Sequence, residues 1–263
     1  MISLNLLVLS LAGLFSGVLA GFLGIGGGTV LVPFLVALGY TPVQAVATSS
    51  LAILITSISG SVQNWRMGYF NAKQVIYLGL PALVTAQLGV YLANQFAPFL
   101  LLAGFGILLL TNIYLVDLRK RLTAKESKDE QQTKEPKKFN TVISRVATGG
   151  AAGILAGLFG VGGGVIMVPL QILLLGETIK VAIQTSLGVI VITAVSACVG
   201  HALKGNVLFV EGILLGIGGL VGVQISTRIL PKLPDEVVTL SFRTMLGILS
   251  IYIFWQAWKS YSG

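Results

Sequence analysis

The stretch "GFLGIGGGTVLVP" at Gly21–Pro33 decides the fold, because it sets Gly24, Gly26, Gly27 and Gly28 inside an otherwise apolar run. Glycine costs about 1 kcal/mol against alanine in a helix interior, so the cluster predicts a break in whatever helix surrounds it. The pattern occurs twice. "GLFGVGGGVIMVP" fills Gly157–Pro169, and 157 less 21 gives an offset of 136 at which every glycine and the proline align without a gap.

The context of both copies is membrane. Of 263 residues 55% are hydrophobic and 10% charged, with a mean hydropathy of +0.92, whereas soluble domains carry about 25% charged residues. Apolar runs of about 18 residues or more read as membrane helices, because about 20 residues cross a hydrocarbon core. Such runs lie at Leu4–Leu38, Val43–Val62, Ala72–Asn94, Phe96–Val116, Val142–Leu175, Val181–Leu203, Val207–Leu230 and Val237–Trp258. The expected fold is an all-α polytopic membrane protein of eight segments, counted as up to ten passes if the longest two are broken. The first run lacks the basic flank of a signal peptide and is expected to stay in the fold. Cys198, a lone cysteine in an apolar segment, reads as a small buried hydrophobe.

Charge is concentrated between the copies. Arg119–Lys138 holds eight of the 17 basic residues and four of the nine acidic ones. A polar run of mixed sign is a solvated linker, and its excess of positive charge places it in the cytoplasm. Nucleic acid is excluded as a partner, since the basic residues form no patch outside this run. The chain thus divides into a first transmembrane repeat (1–118), a charged cytoplasmic linker (119–140) and a second repeat (141–263). Further similarity supports the duplication: "TSSL" at Thr48–Leu51 meets "QTSL" at Gln184–Leu187 at the same offset of 136, and "NWRMG" at Asn64–Gly68 meets "HALKG" at His201–Gly205 with one inserted residue.

Orientation depends on the first segment of each half. Leu4–Leu38 would span about 52 Å as one helix at 1.5 Å per residue, so it overshoots a bilayer unless the chain turns at the glycines. If it turns back, each half has five passes and the second is inverted. If it runs on, each has four and the halves are parallel. The inverted arrangement leaves two basic residues outside, Lys204 and Lys259, and the parallel one leaves three, so inversion is favoured.

A helix broken at membrane depth must bury its freed amides in protein or turn them to a polar cavity. The half-helices restarting near Thr29 and Val165 each present free N–H groups and the positive end of a helix dipole. Two such ends meeting across a pseudo-two-fold axis make an anion cradle near the midplane. The expected substrate-binding residues are Gly26, Gly27, Gly28, Thr48, Ser49 and Ser50 in the first half, with Gly162, Gly163, Gly164, Gln184, Thr185 and Ser186 in the second. Neutral donors suit a transported anion, which a fixed lysine or arginine would hold too tightly. The same small residues also serve helix packing. Asn64, His201 and Arg243 are candidates for gating or anion attraction; His201 and Glu211 could gate or bind protons, but they read rather as residues of the membrane interface. No strand precedes Gly26–Gly28, so the motif is not a dinucleotide loop.

The paired "GxGGG…P" motifs, each followed by "TSSL" or "QTSL", and the "HxxxG" at His201–Gly205 resemble the TauE/SafE sulfite exporter family. The resemblance covers nearly the whole chain apart from the linker. It implies export of small sulfur-containing anions, such as sulfite, sulfoacetate or related organosulfonates, across the bacterial inner membrane. An anion channel selective for small oxyanions is the alternative. An enzyme is disfavoured, because no metal cluster, paired carboxylates or nucleophile with a base is present. No cofactor or metal is expected. The expected partners are the anion and the lipid bilayer, with a homo-oligomer left open.

Overall fold

The computed structural model describes residues 2–129 and 141–262. They form α1 (Ile2–Leu23), α2 (Gly28–Ala37), α3 (Pro42–Arg66), α4 (Ala72–Ala93), α5 (Pro98–Asp129), α6 (Thr141–Phe159), α7 (Gly164–Leu175), α8 (Ile179–Leu203), α9 (Phe209–Ile229) and α10 (Asp235–Ser262), with a 3-10 turn at Leu230–Lys232. No strand occurs among the described residues. Six helices are long and apolar enough to cross a bilayer, against eight segments expected. The two expected segments not among them are those of α1 and α5, whose described apolar parts, Leu7–Leu23 and Pro98–Thr111, fall short of that length; the long first run of each half becomes two helices, and α2 and α7 span only 10 and 12 residues. At 1.5 Å per residue each is about half a membrane thick. Part of the charged run, Arg119–Asp129, continues α5 as helix, and the rest of it lies outside the described residues.

The breaks sit where the glycines require them. Gly24, Gly26 and Gly27 have φ of 64°, 74° and 82°, and Gly160, Gly162 and Gly163 have φ of 62°, 71° and 79°. A side chain in this left-handed region costs about 1–2 kcal/mol per residue, which glycine avoids. Pro33 and Pro169 stand inside their helices rather than in the first turn, so each forfeits the bond to the carbonyl four residues earlier.

Small residues set the helix directions. Gly13, Gly17 and Gly21 of α1 press on Leu215, Gly219 and Ser226 of α9 in rising order, so the two helices run parallel. In α6, Gly149, Gly153 and Gly157 press on Leu78, Ala82 and Ala86 of α4 in the same sense. Glycines at four-residue spacing let backbones touch, which is the usual basis of close packing in lipid. Along α3 and α8 the order is reversed: Gly60 lies against Leu187, and Asn64 against Gln184. These central helices are antiparallel.

The direction of α2 follows. Gly21, in the last turn of α1, lies beside Ser226 near the end of α9, whereas Leu208, just before α9, bonds Thr48 near the start of α3. To reach that start, α2 must carry the chain back the way it came. The core that results buries Leu23, Ile25, Leu31, Val161, Val165 and Met167 around the two breaks, and α5 and α10, which pack on each other, add Leu101, Phe105, Leu246 and Ile253 to it.

Candidate functional site: two interlocked glycine loops

Each glycine loop is held by the other half of the chain. Ser49 Oγ, on α3, donates to Gly160 O at 2.8 Å, and Ser186 Oγ, on α8, donates to Gly24 O at 2.7 Å. Two further hydroxyls bind loop carbonyls from nearer in sequence: Ser16 reaches Gly27 O and Thr193 reaches Gly162 O, both at 2.9 Å. Two carbonyls of each loop, Gly24 O and Gly27 O in the first and Gly160 O and Gly162 O in the second, are thus occupied by hydroxyls. The first turns of α2 and α7 also carry N–H groups for which no preceding carbonyl is in helical register. Both helices start from a left-handed glycine, Gly27 or Gly163, with no side-chain cap.

The loops also abut directly. A methyl group on Gly28 would collide with Gly160 O, and one on Gly164 with Gly24 O. Beside Gly26 and Gly162 stand Ile53 and Ile190, within 3.3 Å of where a Cβ would be. Residues 23–29 and 159–165 are all buried. In this state the centre is closed, and an anion reaches the amides only if Ile53 and Ile190 or the loops move.

Most expected site residues gather here, with altered roles. Gly26, Gly27, Gly28, Gly162, Gly163 and Gly164 form the facing loops. Ser49 and Ser186 hold loop carbonyls, while Ser50 turns back to Val46 O at 2.9 Å and Thr48 caps Leu208 N at 3.1 Å. Thr185 is buried nearby. Gln184 supplies its backbone carbonyl to Asn64 Nδ2 at 3.5 Å. Arg243 stands apart, half-buried on α10.

His201, in the last turn of α8, is fully buried within the protein, with Nε2 at 2.9 Å from Gly157 O. Glu211 is half-buried and accepts from Tyr40 Oη at 3.3 Å. The expected register needs correction. The N-caps Thr41 and Thr178, and the loop-binding Ser49 and Ser186, are each 137 apart rather than 136. The extra residue therefore falls before α8, where α7 is the longer half-helix, and not after "QTSL".

Sequence reasoning missed three hydroxyls. Ser16 and Thr193 hold loop carbonyls, and a single serine or threonine in an apolar helix carries no signal of that. Thr29, in the first turn of α2, is fully buried and its Oγ1 has no hydrogen-bond partner. Leaving such a hydroxyl unpaired costs about 1–3 kcal/mol, so the second half, with Val165 at the matching place, avoids an expense the first half carries. No cluster of His, Cys, Asp or Glu among the described residues could hold a metal.

Broken helices meeting in a buried centre define a class: a polytopic helical membrane protein built as secondary transporters are. The family model described as sulfite exporter TauE/SafE matches residues 9–253, and the chain belongs to that family. It is 26% identical to a probable membrane transporter protein, YunE, of Bacillus subtilis, over 96% of this chain and 98% of that one. It is 27% identical to a second, YdhB, from the same organism, over 90% and 96% respectively. A protein of Arabidopsis thaliana named sulfite exporter TauE/SafE family protein 1 is 31% identical over 35% of this chain and 20% of its own length. No solved structure matches. The chain is an integral, multi-pass membrane transporter.

Proposed function

We propose that this transporter exports small sulfur-containing anions, of the sulfite and organosulfonate type, across a bacterial inner membrane. The observation that carries the reading is the disposal of the loop carbonyls. Four hydroxyls take four of them, Gly24 O, Gly27 O, Gly160 O and Gly162 O, and on this reading the first-turn N–H groups of α2 and α7 are the donors that the loops offer to a shared centre without fixed charge. Backbone amides at a helix start, softened by glycine, bind anions without a cation to trap them. Thr29 Oγ1 is a further donor on the first side. The closed centre corresponds to an occluded intermediate of alternating access, with Ile53 and Ile190 as its inner gates. Moving a dianion out of a cell at 100 mV, negative inside, releases about 4.6 kcal/mol at about 2.3 kcal/mol per charge, enough to drive export. Purified protein in liposomes is expected to release radiolabelled sulfite saturably, and faster with an interior-negative potential. No flux of sulfite or any sulfonate above protein-free vesicles would refute the reading.

The reading includes an inverted repeat of five helices per half, counted as ten passes. Its support is paired contacts in which one half answers the other. Tyr40 bonds Glu211, and 137 residues on, Glu177 bonds Gln74 at 2.9 Å. Gln224 binds Ser59, and Gln87 binds Ser196, both at 2.9 Å. With the linker inside, Lys73 faces the cytoplasm and Lys204 the exterior. Single cysteines at these two positions, in a Cys198→Ala background, are expected to label from opposite sides. Labelling of both from one side would leave the halves parallel.

A further inference from the structure

We propose that His201 is the proton-binding site of this transporter, its Nδ1 taking up a proton as the anion binds so that the two are carried together and a dianion crosses as one net negative charge. The inference rests on the anion-transport reading above and adds the coupling ion.

The geometry begins at the end of α6. Gly160 N still closes a helical bond to Ala156 O at 3.0 Å, so Gly157 O is the first carbonyl that the break deprives of its donor. His201 Nε2 fills that place at 2.9 Å. A carbonyl only accepts, so Nε2 carries the hydrogen and Nδ1 of the neutral ring is a bare acceptor. That Nδ1 is buried and has no hydrogen-bond partner. A ring pinned through one nitrogen, with a lone pair held idle on the other inside a membrane protein, is a proton acceptor in waiting. At the matching place in the first half stands Asn64, also buried, with its Oδ1 unpartnered and no capacity to titrate near neutral pH. The two halves are therefore alike in shape and unlike in protonation, and only one side can take up the charge.

Nothing nearby competes for this role. α8 packs on α3, α4, α6 and α7 and more sparsely on α1, which carries no titratable side chain, and on α10, whose Asp235 pairs with Lys180 at the far end of α8. Arg66 of α3, Lys73 and Tyr77 of α4 and Arg145 of α6 all lie at the opposite end of the bundle, and α7 carries no titratable side chain. At the near end, Tyr91 of α4 is exposed, Glu211 is engaged by Tyr40, and Lys204 is exposed just past α8 itself. Cys198, one turn back on α8, is a free thiol. His201 is the one histidine of the chain. Protonation turns Nδ1 into a donor and gives the imidazole a positive charge beside Gly157 O, three residues before Gly160 of the loop. Anion and proton then favour each other's binding by the same factor.

The test uses methanesulfonate, which stays ionised throughout the range, so that any pH dependence belongs to the protein. In proteoliposomes at concentrations well below saturation, wild-type flux is expected to rise as pH falls from 8 to 6, by up to about tenfold per pH unit for one coupled proton. His201→Gln keeps an amide donor for Gly157 O and cannot titrate. His201→Asn copies the residue of the other half. Both are expected to transport with a flat pH profile. A wild-type slope that persists in these variants, or a flat wild-type profile, overturns the proposal while leaving anion transport intact. Absence of flux in every form would instead strike the transport reading. In that case the single imidazole, observed by NMR in protein labelled with 15N-histidine, decides the matter with either variant as its blank. An imidazole whose protonated fraction at pH 6 rises on adding methanesulfonate supports the proposal, and one that stays neutral with and without it contradicts it.

Discussion

Gly164→Ala is expected to leave little or no folded, monodisperse protein, and Gly28→Ala the same. Neither residue has an unusual φ, so the effect does not come from backbone conformation. In each case the added methyl meets a carbonyl oxygen of the opposite loop, Gly24 O or Gly160 O. A backbone carbonyl already held by Ser186 or Ser49 cannot swing aside as a flexible side chain would. Overpacking of a well-packed core costs about 1–3 kcal/mol and occasionally more. Here the strain falls on the contact joining the two halves, so the upper end applies. Size-exclusion profiles and thermal melting in detergent check it. As a control, alanine at Gly150, where a methyl finds only the edge of Thr85 at 3.8 Å, is expected to be nearly neutral.

The second large effect belongs to the interlocking serines. Ser49→Ala leaves Gly160 O without its partner across the halves, and Ser186→Ala does so for Gly24 O. Each loss is expected to destabilise by about 1–3 kcal/mol, the cost of leaving a buried polar group unpaired. The double variant is expected to lose roughly the sum. Thermal melting measures this, and sulfite affinity on the surviving folded fraction separates the two roles a serine could have. Because these hydroxyls are spent on carbonyls, affinity per folded molecule is expected to change less than stability. A tenfold or greater loss of affinity with unchanged melting would return them to the role of direct anion ligands.

The contrast between those roles shows what could be read in advance. The double "GxGGG…P" and the hydroxyl motif after it were legible because glycine clusters conflict with a membrane helix, and a conflict repeated at one offset has few explanations. That the first run breaks at the glycines was also legible, from length alone, and the count of basic residues favoured a second helix that turns back. The task of Ser49 and Ser186 was not, since a hydroxyl in an apolar run looks the same whether it faces a ligand or a carbonyl of another segment. Their register was misjudged for a physical reason: "TSSL" and "QTSL" share two identical letters at 136 and two at 137, so letters do not decide it, whereas helix starts are fixed by caps, and Thr41 and Thr178 are 137 apart. His201 read as interfacial because it lies close to the end of its apolar segment. Its burial within the protein was not legible, since that comes from α6, which breaks beside it and leaves a carbonyl for it to hold.

Stacked glycines hid another layer. Gly13, Gly17 and Gly21, like Gly149, Gly153 and Gly157, are small residues four apart in helices, and they set the direction of α1 and α6 through contact with the opposite half. Spacing alone signals close packing, but not against which helix.

The central claim is that amides from both loops form one anion site, and the direct measurement is sulfite efflux from liposomes with one loop altered at a time. Gly26→Ala and Gly162→Ala suit it, because a methyl at either position meets isoleucine side chains rather than backbone and intrudes on the shared centre. Both have left-handed φ, so each costs about 1–2 kcal/mol of stability, and flux is compared per folded molecule. The account predicts that each single substitution, in either half, cuts saturable efflux by tenfold or more. Efflux at the wild-type rate from one of them would contradict a site shared between the halves.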